Sequence, residues 1–348
     1  MPEIKEDNNM KILFIGGTGT ISMAITRLLA ERGDELYLLN RGNRNAGLPE
    51  NVKLINCDIN DEKDAEKKLA GMEFDCVGEF IGFVPSQLER DYRLFAGKTK
   101  QFIYISSASA YRKPMQGYTI TEETPLENPY WEYSRNKKAC EEYLFSRYRE
   151  DGFPVTIVRP SHTYDERSVP LGVHGKNGSW QAVKRIKEGK PVIIHGDGTS
   201  LWTITHNSDF AKAYAGLIGN PAAIGETFHI TTDESVSWNE IYGYIADALG
   251  VELKPYYVSS ETLAALGKDY DFTGSLIGDK ACSVVFDNSK VKKLVPSFRA
   301  EVTAREGIKR TVEYVISHPE CQHDDEEFDK WCDAVIAANE KMKKDFAE

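Results

Sequence analysis

Residues 11–22, KILFIGGTGTIS, run from an apolar stretch directly into a glycine-rich turn and on into a helical pattern. Few folds accept that order. The apolar run over 12–15 has the length of a buried strand, and the glycines end it. Gly16 permits a tight turn. Gly19 lets backbone N–H groups approach a phosphate, and a helix over 23–32 would present its positive end to that charge. Ser22 stands where a third glycine is common and is small enough for close helix–strand packing. A plain glycine-rich turn carries the same letters. The strand before it and the helix after it are what favour a dinucleotide loop, Gly16-x-x-Gly19-x-x-Ser22.

The alternation continues beyond this unit. Segments 35–40, 52–58, 74–81, 101–107 and 153–160 read as strands, and 61–70, 85–96 and 131–150 as helices. That rhythm predicts an α/β fold, a doubly wound parallel sheet of the Rossmann type, with a smaller mixed C-terminal substrate lobe. The expected boundaries are a dinucleotide domain over 10–165, with 205–232 rejoining it through the strand at 226–231. A substrate lobe is expected from 166–204 and 233–320, and a helical tail over 321–348. In that tail Phe328, Trp331, Val335 and Ile336 fall on one helical stripe, expected to pack on its own chain. The first ten residues read as a flexible tail, with Met10 a candidate internal start.

Composition removes other classes. The 348 residues carry 43 Lys and Arg against 54 Asp and Glu, a net charge of −11, whereas nucleic-acid binding is driven by clustered positive charge. No apolar run approaches the roughly 20 residues of a membrane-spanning helix. The six cysteines form no CxxC pair and no His/Cys spacing suited to zinc, so no metal is expected. Scattered cysteines in a chain this long suit a reducing, cytoplasmic setting.

At the end of the second strand stand Asn40, Arg41 and Arg44. An acidic residue there would bind the adenosine ribose of NAD. A neutral Asn with two guanidinium groups suits the 2′-phosphate of NADP, so NADP is the expected cofactor and NAD the alternative.

Of the 17 tyrosines only Tyr133 has a lysine four residues on, Lys137, which on a helix places both on one face. A nearby ammonium is expected to lower the phenol from its ordinary value near 10, letting it remove a hydroxyl proton. Ser107 ends the fifth strand and is placed to polarise the same substrate oxygen. The spacing alone is commonplace; the order of nucleotide loop, Ser and Tyr-x-x-x-Lys is not.

GGTGTIS, FIYISSASAY, YSRNK and TIVRPSHTY together resemble the extended short-chain dehydrogenase/reductase family, its sugar epimerase and dehydratase branch. Within it the chain is most similar to the subgroup related to chloroplast stem-loop-binding proteins. The resemblance implies Ser107, Tyr133 and Lys137 as catalytic residues. It implies Gly16, Gly19, Thr20 and Ile21 at the pyrophosphate, with Thr18 among the cofactor-binding residues. Asp58 and Ile59 would lie at the adenine, and Pro160 to His162 near the nicotinamide. It also implies a homodimer through the helices at 85–96 and 131–150.

Two departures narrow the chemistry. Dehydratases of this branch carry an Asp-Glu pair where this chain has Ala108 and Ser109, so dehydration is not expected. Many nucleotide-sugar epimerases carry an Arg where this chain has Trp202, which cannot neutralise a diphosphate. A sugar or polyol is therefore expected, contacted by Ser109, Trp202 and His162. If the ketone turns over before hydride returns, the reaction is epimerisation; if it leaves, the chain is an oxidoreductase. The rival reading is a non-catalytic NAD(P)-binding or RNA-binding protein on the same scaffold. Outside these positions, His206 is expected to be structural beside the helix-capping Asn207, Ser208 and Asp209, and Trp131 and Trp180 to be core or pocket wall. The acidic run 324–327 reads as a solvated segment or a helix start.

Overall fold

The computed structural model describes residues 9–267 and 269–347. At its centre lie β1 (Lys11–Ile15), β2 (Glu35–Asn40), β3 (Lys53–Asn56), β4 (Cys76–Glu79) and β5 (Phe102–Ile105), joined by strands Val155–Pro160 and Thr227–Ile230. All pair in parallel, in the order Thr227–Ile230, Val155–Pro160, β5, β4, β1, β2, β3. The apolar run in β1 is explained by this position. Ile12 and Phe14 face one core, Leu13 and Ile15 the other, and all four are fully buried. A strand covered by helices on both faces cannot alternate apolar with polar residues.

Helices α1 (Ser22–Arg32), α2 (Glu62–Lys68), α3 (Pro85–Phe95) and α4 (Glu132–Asp151) connect the first strands. From β1 the chain runs outward to β2 and β3, then returns to β4 on the other side. The carboxyl ends of β1 and β4 therefore open a crevice at the point where strand order reverses, the usual ligand position in such sheets. Gly33, at φ +91°, ends α1 in the left-handed conformation that glycine adopts without strain.

Helix Asn207–Leu217 packs on the sheet core, and a second hydrophobic core around Trp238, Ile241 and Leu276 makes the smaller lobe. Strand Val192–His195 pairs with Pro255–Val258, Leu201–Trp202 pairs with Val236–Ser237, and Thr273–Lys280 forms a π-helical turn. Helix Glu326–Ala347 seals this lobe with buried Phe328 and Val335 and partly buried Trp331 and Ile336. The acidic run ahead of it is specific. Asp324 Oδ1 accepts from Trp180 Nε1 at 3.0 Å and from Lys184 at 2.9 Å, and Asp325 caps the helix by accepting from the Phe328 N–H. Trp180 is thereby core support, away from the crevice.

Residues 1–8 of the expected N-terminal tail lie outside the described residues. Met10 does not behave as tail: its N–H donates to Asp34 Oδ1 at 3.1 Å and its side chain packs on the core. His206, rather than the residues after it, is the N-cap of helix Asn207–Leu217, because its ring accepts from the Ser208 N–H. Among the described residues no helix is long and apolar enough to cross a membrane, and no three His, Cys, Asp or Glu side chains converge as a metal site requires.

Candidate active site

Three cavities run together along the crevice. The first, about 510 Å³, is lined by Gly16, Thr18, Gly19, Asn40, Arg41, Arg44 and Ile59. The second, about 340 Å³, shares Gly16 and Gly19 and adds Thr20, Ile21, Ser107, Tyr133, Lys137, Pro160 and His162. The third, about 310 Å³, shares Ser107, Tyr133, Pro160 and His162 and continues to Ser109, Trp131, Trp202, Asp279, Lys280 and Phe286. Every site residue read from the sequence lines this channel except Asp58, whose carboxylate accepts from the Asn60 N–H and Nδ2, both at 3.0 Å.

The loop after β1 is built for a close ligand. Gly16 has φ +87°, and a Cβ there would stand 2.5 Å from Ile81 Cγ2; at Gly17 it would stand 2.3 Å from Leu38 Cδ2. Ser22 does more than fit: its hydroxyl donates to the Gly16 carbonyl at 2.8 Å and accepts from the Gly19 N–H at 2.9 Å. The Thr20 and Ile21 N–H groups have no acceptor among the described residues, as an anion site at a helix start requires. Beyond the loop, Asn40 Oδ1 accepts from the Gly42 N–H, while its Nδ2 is buried without a partner. A buried amide donor without an acceptor is costly, and a ribose or phosphate oxygen satisfies it. Arg41 and Arg44 are exposed at the cavity mouth, neither in an ion pair among the described residues. These residues fit an adenine dinucleotide.

Helix α4 places Tyr133 and Lys137 one turn apart, and the turn after β5 brings Ser107 to them. The pKa expectation is reversed. Burial pushes the Tyr133 phenol up to about 12, and the group that opposes this is the hydrogen-bonding Ser107 hydroxyl, not Lys137. Lys137 Nζ donates to the Gly82 carbonyl (2.7 Å) and the Ile105 carbonyl (2.8 Å) and lies 5.7 Å from the Tyr133 ring centre. Burial lowers the ammonium itself to about 8. Ser109 is tied into the wall, its hydroxyl 2.9 Å from Ser107 Oγ and accepting from Ser134 Oγ at 2.9 Å.

The far wall was not fully legible. Trp202 is 3% exposed and does not lie open for stacking on a ligand. Its Nε1–H donates to His162 Nδ1 at 3.1 Å, and its ring stacks on Trp238. Burial pushes His162 down to about 3, so the ring is neutral and its proton sits on Nε2. Asp279 and Lys280, which no motif marks, also line the cavity. Asp279 lies 3.7 Å from the fully buried Lys113 ammonium. The only sequence signal was an adjacent acid and base behind Gly278 in a largely apolar segment.

The sequence model of the NAD dependent epimerase/dehydratase family matches residues 12–231. The chain is 26% identical over 295 residues to a 2′-dehydrokanamycin reductase of Streptomyces kanamyceticus, covering 84% of this chain and 81% of that one. It is 24% identical over 282 residues to the chloroplast stem-loop binding protein of 41 kDa b of Arabidopsis thaliana, covering 77% and 69%. Among solved structures it is similar to a dTDP-glucose 4,6-dehydratase of Bacillus anthracis in complex with NAD. That pair has a TM-score of 0.69 at 18% identity, over 89% of this chain and 98% of that one.

Proposed function

The chain belongs to the NAD dependent epimerase/dehydratase family, and from that premise we propose that it is a nicotinamide-dependent sugar epimerase or reductase acting through Ser107, Tyr133 and Lys137. The observation that carries this is one channel joining the glycine loop to the Ser107–Tyr133 pair. Gly16, Thr20, Ile21 and Asn40 would hold the dinucleotide, with Arg41 and Arg44 favouring the 2′-phosphate of NADP over NAD. Once bound, it supplies a hydride acceptor and donor beside Tyr133. Tyr133 takes the proton of the substrate hydroxyl and returns it, and Ser107 orients the oxygen that carries it. Lys137 holds the loop after β4 against β5, and its ammonium would hold the cofactor ribose.

Dehydration is not part of the proposal, because Ala108 and Ser109 bring no acid–base pair to the pocket. The 2′-dehydrokanamycin reductase favours a reductase and the epimerase branch an isomerase; both need the same hydride transfer. The domain limits at residues 165, 205, 232 and 320 and the homodimer through α3 and α4 belong to the same reading. The test is Tyr133→Phe, with cofactor reduction followed over a panel of sugars and polyols. Turnover should fall by about 10²–10⁴-fold while cofactor affinity stays within about twofold. An unimpaired variant overturns the assignment, and salt-sensitive RNA retention without turnover would favour the scaffold reading.

A further inference from the structure

The far wall of the substrate cavity presents two unoccupied donors, one at His162 and one at Lys280. Trp202 Nε1–H occupies His162 Nδ1 at 3.1 Å, which fixes the neutral ring as an Nε2–H donor. Trp202 is held in turn by its stack on Trp238, 5.5 Å between ring centres at 29°. Trp238 Nε1 donates to the Lys280 carbonyl at 3.0 Å, so the same aromatic pair sets the position of Lys280. The Lys280 ammonium makes no ion pair or hydrogen bond among the described residues and lines the same cavity as His162, where burial pushes its pKa down. The nearby carboxylate, Asp279, is already opposed by the buried Lys113 ammonium at 3.7 Å. Lys280 therefore stands without an ion-pair partner in the wall; besides Asp279, the carboxylate acting on it is the exposed Asp271, which accepts from Trp131 Nε1 at 2.8 Å.

We propose that His162 Nε2–H and the Lys280 ammonium form an anion subsite that receives a carboxylate or phosphate carried by the substrate itself. An anionic sugar pairs with the free ammonium and accepts from both donors. A cationic amino sugar meets an ammonium that no carboxylate pairs. The charge that Trp202 fails to provide is supplied from the π-helical turn, at a different place in the pocket. The inference rests on this cavity being the substrate site of the proposed reaction.

The test uses the full chain with NADP at saturation, which covers the Arg41–Arg44 edge, and four matched probes: glucose, glucuronate, glucose 6-phosphate and glucosamine. Affinity is read by saturation-transfer NMR and thermal shift at low salt, in the wild type, Lys280→Met and Lys280→Arg. The anionic probes should bind about tenfold or more tightly than glucose, with glucosamine weakest. The preference should fall to about threefold or less in Lys280→Met and persist in Lys280→Arg. Tighter glucuronate identifies a carboxylate, and tighter glucose 6-phosphate a phosphate. Equal or tighter binding of glucose or glucosamine, a preference that survives Lys280→Met, or no binding by any probe overturns the inference. Because binding is read, anion preference without turnover leaves the subsite standing while the catalytic reading falls; turnover of neutral sugars without anion preference does the reverse.

Discussion

Lys137 donates from Nζ to the Ile105 carbonyl at 2.8 Å, tying the second turn of α4 to the end of β5. With the Gly82 bond at 2.7 Å, the ammonium closes the crevice from beneath and is 1% exposed. Its charge is therefore kept at a cost that shows in the pH dependence of folding.

Burial holds Lys137 at about 8, below the ordinary 10.5 of the unfolded chain. Below about pH 8 both states are protonated and the group adds no slope. Between 8 and 10.5 the unfolded state binds more protons, so stability contributed by Lys137 rises with pH. Lys137→Met removes that slope. Denaturant midpoints at pH 8 and pH 10 should show the wild type gaining about 2 kcal/mol relative to the variant. Parallel profiles would contradict the buried, charge-bearing position.

A second buried group gives the opposite sign. Glu79, at the end of β4, is fully buried; burial and the neighbouring Asp91 hold its carboxyl well above the usual range. Burial raises Asp91 as well, to about 6, but Arg90, 2.8 Å away, opposes that rise, so above that value Asp91 carries the charge and Glu79 the proton. A raised folded pKa means that its stabilising contribution is full below about pH 4.5 and is lost as pH rises through the folded value. Glu79→Gln keeps an acceptor for the Ile81 N–H and has no proton to lose. Relative to the wild type it should gain about 1–3 kcal/mol between pH 5 and pH 8, read from urea unfolding. A constant difference across that range would place the proton elsewhere.

Arg44 tests the cofactor edge. In the NADP reading its guanidinium grips the 2′-phosphate, and NAD has no such group. Arg44→Ala should weaken NADP binding by about 10–100-fold and leave NAD within about twofold, by fluorescence titration. A loss shared equally by both cofactors, or an NAD affinity tenfold tighter than NADP in the wild type, ends the NADP assignment.

The strength of the sequence signal follows how local each feature is. Strand β1 and its glycine turn are encoded in twelve consecutive residues, and Tyr133 and Lys137 meet because a helix repeats every 3.6 residues. Ser22 was legible as small but not as the hydroxyl that ties Gly16 to Gly19, since that needs the folded turn. Asp279, Lys280 and Lys113 were not legible at all. They meet only when the π-helical turn folds against the segment after Tyr111, and no period or motif marks such a meeting. The Tyr133 pKa was misjudged for a related reason: spacing places an ammonium nearby but says nothing of how deeply the fold buries the phenol.

The last prediction separates positioning from chemistry. In Trp202→Phe an aromatic ring still stacks on Trp238, but the Nε1–H that holds His162 Nδ1 is gone. The His162 proton is then free to sit on either nitrogen, and the ring no longer presents only a donor to the cavity. Losing one neutral hydrogen bond should cost about 1 kcal/mol of stability. Substrate affinity should suffer more selectively: KM is expected to rise about 3–10-fold with kcat within about twofold and cofactor affinity unchanged. In the proposed pocket the contact would hold the substrate without touching the reacting oxygen, which is why KM and kcat should part. If kcat falls while KM stays constant, Trp202 acts on the chemical step through His162, and His162 belongs with Ser107 and Tyr133 rather than with the binding wall.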